Sequence, residues 1–95
     1  MEIGRYVKVR SYGEYKSGNY GINSLCIEIG KLELFFSYDQ VVAFRDNGEL
    51  SVIRNYWSTT TGKHLNWISP DKEKRLSRDQ FEEKLKKTLE KYGVI

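Results

Sequence analysis

SLCIEIGKLELFFS, residues Ser24 to Ser37, sets the fold class: apolar and polar side chains alternate on both sides of a Gly30-Lys31 pair. A strand sends successive side chains to opposite faces, and a two-residue connection containing glycine closes an antiparallel hairpin. Leu25, Ile27 and Ile29 are expected to point inward with Cys26 and Glu28 outward, and Leu32, Leu34 and Phe36 mirror them on the return. Phe35 then places an aromatic ring on the opposite face, where something must cover it. Downstream, Tyr38-Asp39-Gln40 turns the chain into Val41 to Arg45, which is apolar on both faces and reads as an interior strand. Asp46-Asn47-Gly48 tolerates the positive φ angles of a hairpin corner, and Glu49 to Tyr56 returns with Leu50 and Val52 on one face.

Upstream, Ile3, Val7 and Val9 alternate with Tyr6, Lys8, Arg10 and Tyr12, the pattern of a half-buried first strand. A connection rich in Gly and Tyr follows, from Tyr12 to Asn23. These readings give a five-stranded meander, and no alternation of strands with helices supports a parallel doubly wound sheet. At the other end, Ser77 with Gln80 has the spacing of a capping box. Phe81, Leu85, Leu89 and Tyr92 then form one apolar stripe, and Gly93 suits the position just past a helix end. Glu82 with Lys86 and Glu83 with Lys87 are favourable pairs on its exposed side. The expected architecture is α+β: an antiparallel sheet of about five strands, open or partly closed into a barrel, packed by one C-terminal helix over Arg78 to Tyr92. Residues 1–95 form a single domain, with the meander over 1–56, a polar loop over 57–76 and the helix over 77–92.

The segment WSTTTGKHLNW, Trp57 to Trp67, is the densest in chemistry, because it gathers the only His, three Thr, a Lys and both Trp. Polar side chains between two large aromatics favour a pinned loop in which Trp57, Thr60, Thr61, His64 and Asn66 satisfy backbone partners and His64 bridges to the sheet. With FFSYDQVVAF, Phe35 to Phe44, and the turn at Asp46-Asn47-Gly48, it resembles a family of small, functionally uncharacterised domains encoded mostly by phages, archaeal viruses and plasmids. The pattern of that family is SY-x-x-x-VAF followed by WS-x-TT-x-x-H-[IL]-N. The likeness covers roughly the middle third of the chain, and NYGINSL, Asn19 to Leu25, fits it too. Many relatives carry a Pro where Val41 or Val42 stands here. The resemblance implies a mobile-element origin and a shared fold, and it brings no activity with it.

The residues support few enzymatic chemistries. Thr61-Gly62-Lys63 lacks both the leading Gly and the trailing Ser or Thr of a phosphate-binding loop, where Trp57 and His64 stand. His64 next to Lys63 could serve as a general base, yet no second acid or base is in evidence nearby. One His and one Cys do not make a metal site within one chain, and the carboxylates do not pair for hydrolysis. A non-enzymatic protein without metal or cofactor is expected. The single Cys26 forms no intramolecular disulfide, which suits a reducing, cytoplasmic setting. No apolar run approaches the roughly 20 residues of a membrane span, and MEIGRYVKVR lacks a signal peptide's apolar core. The abundance of Lys and Glu fits a thermophile's surface.

Binding is the better expectation. The net charge is +3, unevenly spread. Residues 1–16 carry four bases against two acids, residues 17–62 three against five, and residues 63–95 nine against six, with the excess lying between Lys63 and Arg78, where five bases meet two acids. Tyr6, Lys8, Arg10 and Tyr12, extended by Lys63, His64, Lys72, Lys74, Arg75 and Arg78, present cations interleaved with aromatics, which can neutralise phosphates while stacking bases of DNA or RNA. The alternative is an interaction module that holds a host or viral protein through Trp57, Trp67 and the Tyr-rich connection, residue types enriched at such contacts. A meander also has edge strands, one of which can pair with its twin in a homodimer.

Overall fold

The structure is a computed structural model that describes residues 7–13 and 23–95; the expectations for Ile3, Tyr6 and the 14–22 connection lie outside the described residues. Five strands, β1 (Val7–Ser11), β2 (Leu25–Ile29), β3 (Leu32–Ser37), β4 (Gln40–Asp46) and β5 (Glu49–Val52), follow one another in chain order in one antiparallel sheet. The sheet is open, with β1 and β5 at opposite edges and no pairing between them among the described residues. The expected turns hold. Gly30 lies at φ +58°, and Asn47 and Gly48 lie at φ +49° and +90°, so both hairpin corners use the left-handed region that glycine and asparagine tolerate.

Register assigns the two faces. Arg10, Cys26, Phe35, Ala43 and Val52 sit opposite one another across the five strands and share one face, while Val9, Ile27, Leu34, Phe44 and Ser51 share the other. Phe35 pairs with Ala43 and Phe36 with Val41, so Val42 is an extra residue on β4, a bulge whose carbonyl accepts from Ile53 N–H at 3.0 Å. Each face is covered by its own helix. The first, α1 (Thr59–Ile68), lies over the face carrying Phe35. The second, α2 (Arg78–Lys91), lies over the face carrying Phe44, with a 3₁₀ turn over Lys72–Lys74 between them.

The C-terminal helix forms as its sequence dictates. Ser77 and Gln80 make the reciprocal capping box, and Glu83 pairs with Lys87 at 3.2 Å. At its end Gly93, at φ +73°, donates to the Glu90 carbonyl and Val94 to that of Leu89, closing a Schellman motif. Phe81 is buried with its ring 5.5 Å from that of Phe44, and Leu85, Leu89 and Tyr92 extend the contact. Full burial of such side chains is worth about 1.5–3 kcal/mol each, which makes this stripe a main support of the fold. Tyr92 also donates its hydroxyl to Asp46 Oδ1 at 2.6 Å, and Lys91 pairs with the same carboxylate.

Four expectations are corrected. Residues 57–76 are not a loop, because Thr59–Ile68 is helical: Ser58 caps it, and Thr61, His64, Leu65 and Ile68 turn one stripe toward the sheet at helical spacing. In β2 the inward residue is Cys26, fully buried between Arg10 and Phe35 in register, whereas Leu25 is exposed. The alternation alone does not say which face is covered, and here both are. β1 is exposed along its length, Val7 and Val9 included, since it is the edge strand farthest in the sheet from β4 and β5, where α2 is anchored. Finally, β5 stops at Val52 rather than running to Tyr56. Ile53 instead forms a parallel bridge with Leu76, in which Leu76 N–H donates to the Val52 carbonyl at 2.7 Å and Arg54 N–H to that of Leu76 at 2.9 Å. No helix among the described residues is long and apolar enough to cross a membrane.

Candidate functional site

The Trp57 to Trp67 segment enters its helix through a tight turn. Asn55 Oδ1 accepts from Trp57 N–H at 2.9 Å, Asn55 Nδ2 donates to the Ser58 carbonyl at 3.2 Å, and Gly62 N–H donates to that carbonyl at 3.0 Å. This turn sets the rotation of α1 and drives Thr61, His64 and Leu65 into the interior. There Ser37 is a hub: its Oγ lies 2.7 Å from His64 Nδ1 and 2.9 Å from Thr61 Oγ1. The rings of Tyr12 and Tyr38 lie 6.0 and 6.2 Å from the imidazole. A hydroxyl beside an imidazole is the pairing of nucleophile and base. However, Ser37 and His64 are 2% and 0% exposed, so no substrate reaches them, and the hub ties α1 to β3. The expected bridge from His64 to the sheet therefore runs through Ser37.

The residues expected to face nucleic acid are separated by the fold. Tyr6 lies outside the described residues. Lys8 and Arg10 are exposed on the sheet face that α1 partly covers. Arg10 is engaged there, with Nε 3.5 Å from Glu28 Oε1 and its guanidinium 5.8 Å from the Phe35 ring centroid. Arg45 stacks on the same ring at 5.5 Å and pairs with Glu33. These guanidinium groups, with the edge of Tyr12, are the cover that Phe35 required. Tyr12 itself is buried: its hydroxyl donates to the Phe36 carbonyl at 2.6 Å and its backbone pairs with Ser24, so it is not displayed on the surface. His64 and Arg75 are buried as well, and Lys63 is exposed on α1. Thr60 is half-buried in the first turn of α1, and Asn66 Oδ1 accepts from Arg75 Nη2 at 3.0 Å rather than from a loop backbone.

The expected extension of that surface falls, together with Arg54, on the segment of residues 54–78. Six bases, Arg54, Lys63, Lys72, Lys74, Arg75 and Arg78, meet only two acids, Asp71 and Glu73, and every one of the bases except Arg75 is exposed. Three large aromatics, Tyr56, Trp57 and Trp67, are exposed on the same segment. The Arg78 guanidinium lies 4.7 Å from the centroid of the Tyr56 ring, and the Tyr56 hydroxyl accepts from Arg78 N–H at 3.1 Å. Trp57 meets Tyr56 edge to face at 6.2 Å. Trp57 also walls an open cleft of about 540 Å³ with Val41, Ile53, Arg78, Phe81 and Leu85. The charge excess between Lys63 and Arg78 was the sequence signal for this surface; that Lys63 and Trp67 stand on a helix within it is visible only in the structure.

Cys26 offers no reactive thiol. It is fully buried, and burial, opposed by the nearby Arg10, pushes its pKa up to about 11.

A model of a family of unknown function (DUF8033) matches residues 7–83, most of the chain. Neither the curated proteins nor the solved structures contain a match.

Proposed function

The chain belongs to this family of unknown function, and on that footing we propose that it is a non-enzymatic nucleic-acid-binding accessory protein that works through the exposed surface of residues 54–78. The observation that carries the reading is the mixture on that segment: exposed Tyr56, Trp57 and Trp67 set among Arg54, Lys63, Lys72, Lys74 and Arg78. Cations neutralise the phosphate backbone and release counterions, while aromatic faces stack unpaired bases without regard to sequence. Lys8 and Arg10 extend the surface along the sheet face that α1 covers. Single-stranded DNA or RNA is the favoured class, because stacking on an indole needs a base free of its pair. The reading includes an origin in a virus or other mobile element and a place in the host cytoplasm, as the segments SYDQVVAF and WSTTTGKHLN suggest.

The test is fluorescence anisotropy of labelled single- and double-stranded oligonucleotides titrated with the protein across a salt series. Binding to single strands is expected to weaken steeply with salt, and the double variant Lys63→Ala, Lys74→Ala should lower the slope of log K against log salt by about 1.4. Flat titrations at low salt refute the reading.

The second reading is a protein partner held by the cleft beside Trp57, where apolar Val41, Ile53 and Leu85 stand among the charged Asp39, Arg78 and Glu82. Both Trp side chains are exposed, at 40% and 52%, as that reading needs. Iodide quenching of both indoles, lost for Trp57 alone on adding the partner, is its signature.

A further inference from the structure

Arg75 is the least expected residue of the basic segment. Its side chain is held from two sides, Nη2 donating to Asn66 Oδ1 and to the Ser69 carbonyl, each at 3.0 Å. It is 7% exposed, and its Nε is buried with no acceptor. A guanidinium taken out of water normally brings a carboxylate with it, since an unpaired buried charge is strongly disfavoured. Among the described residues no carboxylate lies within ion-pair distance of it. Of the two acids on the 3₁₀ turn before it, Glu73 makes no ion pair with Arg75, and Asp71 is occupied by Glu73 N–H at 3.1 Å and by Lys74 at 3.9 Å.

Arg75 also lines a cavity of about 320 Å³ whose other walls are Arg54, Asn55, Gly62, Asn66 and Lys72. Three cations and two side-chain amides line this space, and no acid among the described residues does. Its size falls at the small end of ligand pockets, which run from about 300 to 1,000 Å³. Gly62 stands close to its wall: a Cβ there would lie 3.1 Å from Asn55 Nδ2 and press on that amide.

We propose that this cavity is an oxyanion pocket that takes a phosphate group, with Arg75 as its fixed donor and Arg54 and Lys72 as the charges that close over it. A charged guanidinium N–H is a strong donor to a phosphate oxygen, and Arg75 brings one charge to this space that no carboxylate among the described residues balances. Burial, which lowers the Arg75 pKa from its ordinary value, disfavours the charge unless an anion joins it. As a seat for a backbone phosphate the pocket rests on the nucleic-acid reading above; as a seat for free phosphate or a phosphomonoester it stands without it.

The experiment is a heteronuclear NMR titration of the full chain with sodium phosphate, with sodium chloride at matched ionic strength as control. Saturable shifts at Gly62, the side-chain amides of Asn55 and Asn66, and Arg75 Nε–H are expected with phosphate alone. Arg54→Ala and Lys72→Ala, both at exposed positions that leave the core intact, should each weaken phosphate binding about tenfold. The conservative Arg75→Lys should fold and yet lose the saturable shifts. Equal responses to phosphate and chloride, or unchanged phosphate affinity in the Arg54 and Lys72 variants, overturn the proposal. A parallel titration with an oligonucleotide lacking terminal phosphates separates the two ideas. Oligonucleotide binding that leaves the cavity resonances unmoved and phosphate without effect overturns the pocket and spares the nucleic-acid reading. Phosphate binding with no oligonucleotide binding supports the pocket as a free-phosphate seat and removes the nucleic-acid reading.

Discussion

Substituting Ser37→Ala removes one oxygen from the interior and nothing else, so its effect isolates the hub that fastens α1 to the sheet. That oxygen lies 2.7 Å from His64 Nδ1 and 2.9 Å from Thr61 Oγ1, at a site 2% exposed. Each hydrogen bond is worth about 0.5–1.5 kcal/mol net, so losing two costs roughly 1–3 kcal/mol, and the polar atoms left buried push the result toward the upper half of that range. A chain of 95 residues is stable by roughly 5–14 kcal/mol at the usual yield per residue. A central loss of about 2 kcal/mol should lower Tm by about 8–16 °C. Urea unfolding followed by tryptophan fluorescence and far-ultraviolet circular dichroism measures the change as a shift in midpoint at constant m. The same substitution in a His64→Leu background should cost less, with a coupling of about 0.5 kcal/mol or more between the two sites. A loss under about 0.5 kcal/mol, or strict additivity, refutes a structural hub and returns the Ser37 and His64 pair to consideration as chemistry.

Three further outcomes follow from the packing and the charges. Phe81→Ala empties the site beneath α2 and should cost about 3–5 kcal/mol in the same urea assay, whereas a loss near 1 kcal/mol would mean that α2 is not a main support. Cys26 should resist iodoacetamide at pH 8 in the native protein and react fully once urea unfolds it; rapid native labelling would contradict its burial and raised pKa. The Asp46 carboxyl is held below its ordinary value by hydrogen bonds from Lys91 and Tyr92. Its contribution is therefore present above the ordinary carboxylate pKa and lost as pH falls through the folded-state value, while those of Lys91 and Tyr92, both raised by Asp46, are lost as pH rises through theirs. Asp46→Asn should flatten both limbs of the stability profile from thermal melts, and an unchanged profile would show that these exposed contacts do not couple to folding.

The order of strands was legible because its signals are local: Gly30-Lys31 and Asn47-Gly48 fix the corners, and alternation fixes the spans between them. The C-terminal helix was legible for the same reason, since its cap, stripe and terminal glycine all lie within seventeen residues, Ser77 to Gly93. The sidedness of β2 was not, because alternation shows two faces without showing what covers each, and the cover over Cys26 comes from residues distant in sequence. The first helix was hidden by its composition. Its buried stripe includes Thr61 and His64, polar residues that no apolar periodicity detects, and three Thr in a row have weak helix propensity that tertiary packing overrides. Ser58 as a cap, followed by inward positions 61, 64, 65 and 68 at helical spacing, was the available clue. The burial of Arg75 could not be read at all, because its partners Asn66 and Ser69 lie at the end of a helix that the sequence reading took for a loop.

The bridge between Ile53 and Leu76 has a consequence for assembly. Leu76 already fills the outer hydrogen-bonding positions at the end of β5, a strand of only four residues, so that margin of the sheet offers a visiting strand little backbone to grip. A filament grown by strand addition needs two receptive margins on every copy, one to give and one to receive. With that end of the β5 margin filled, β1 is the longer edge left to a visiting strand among the described residues.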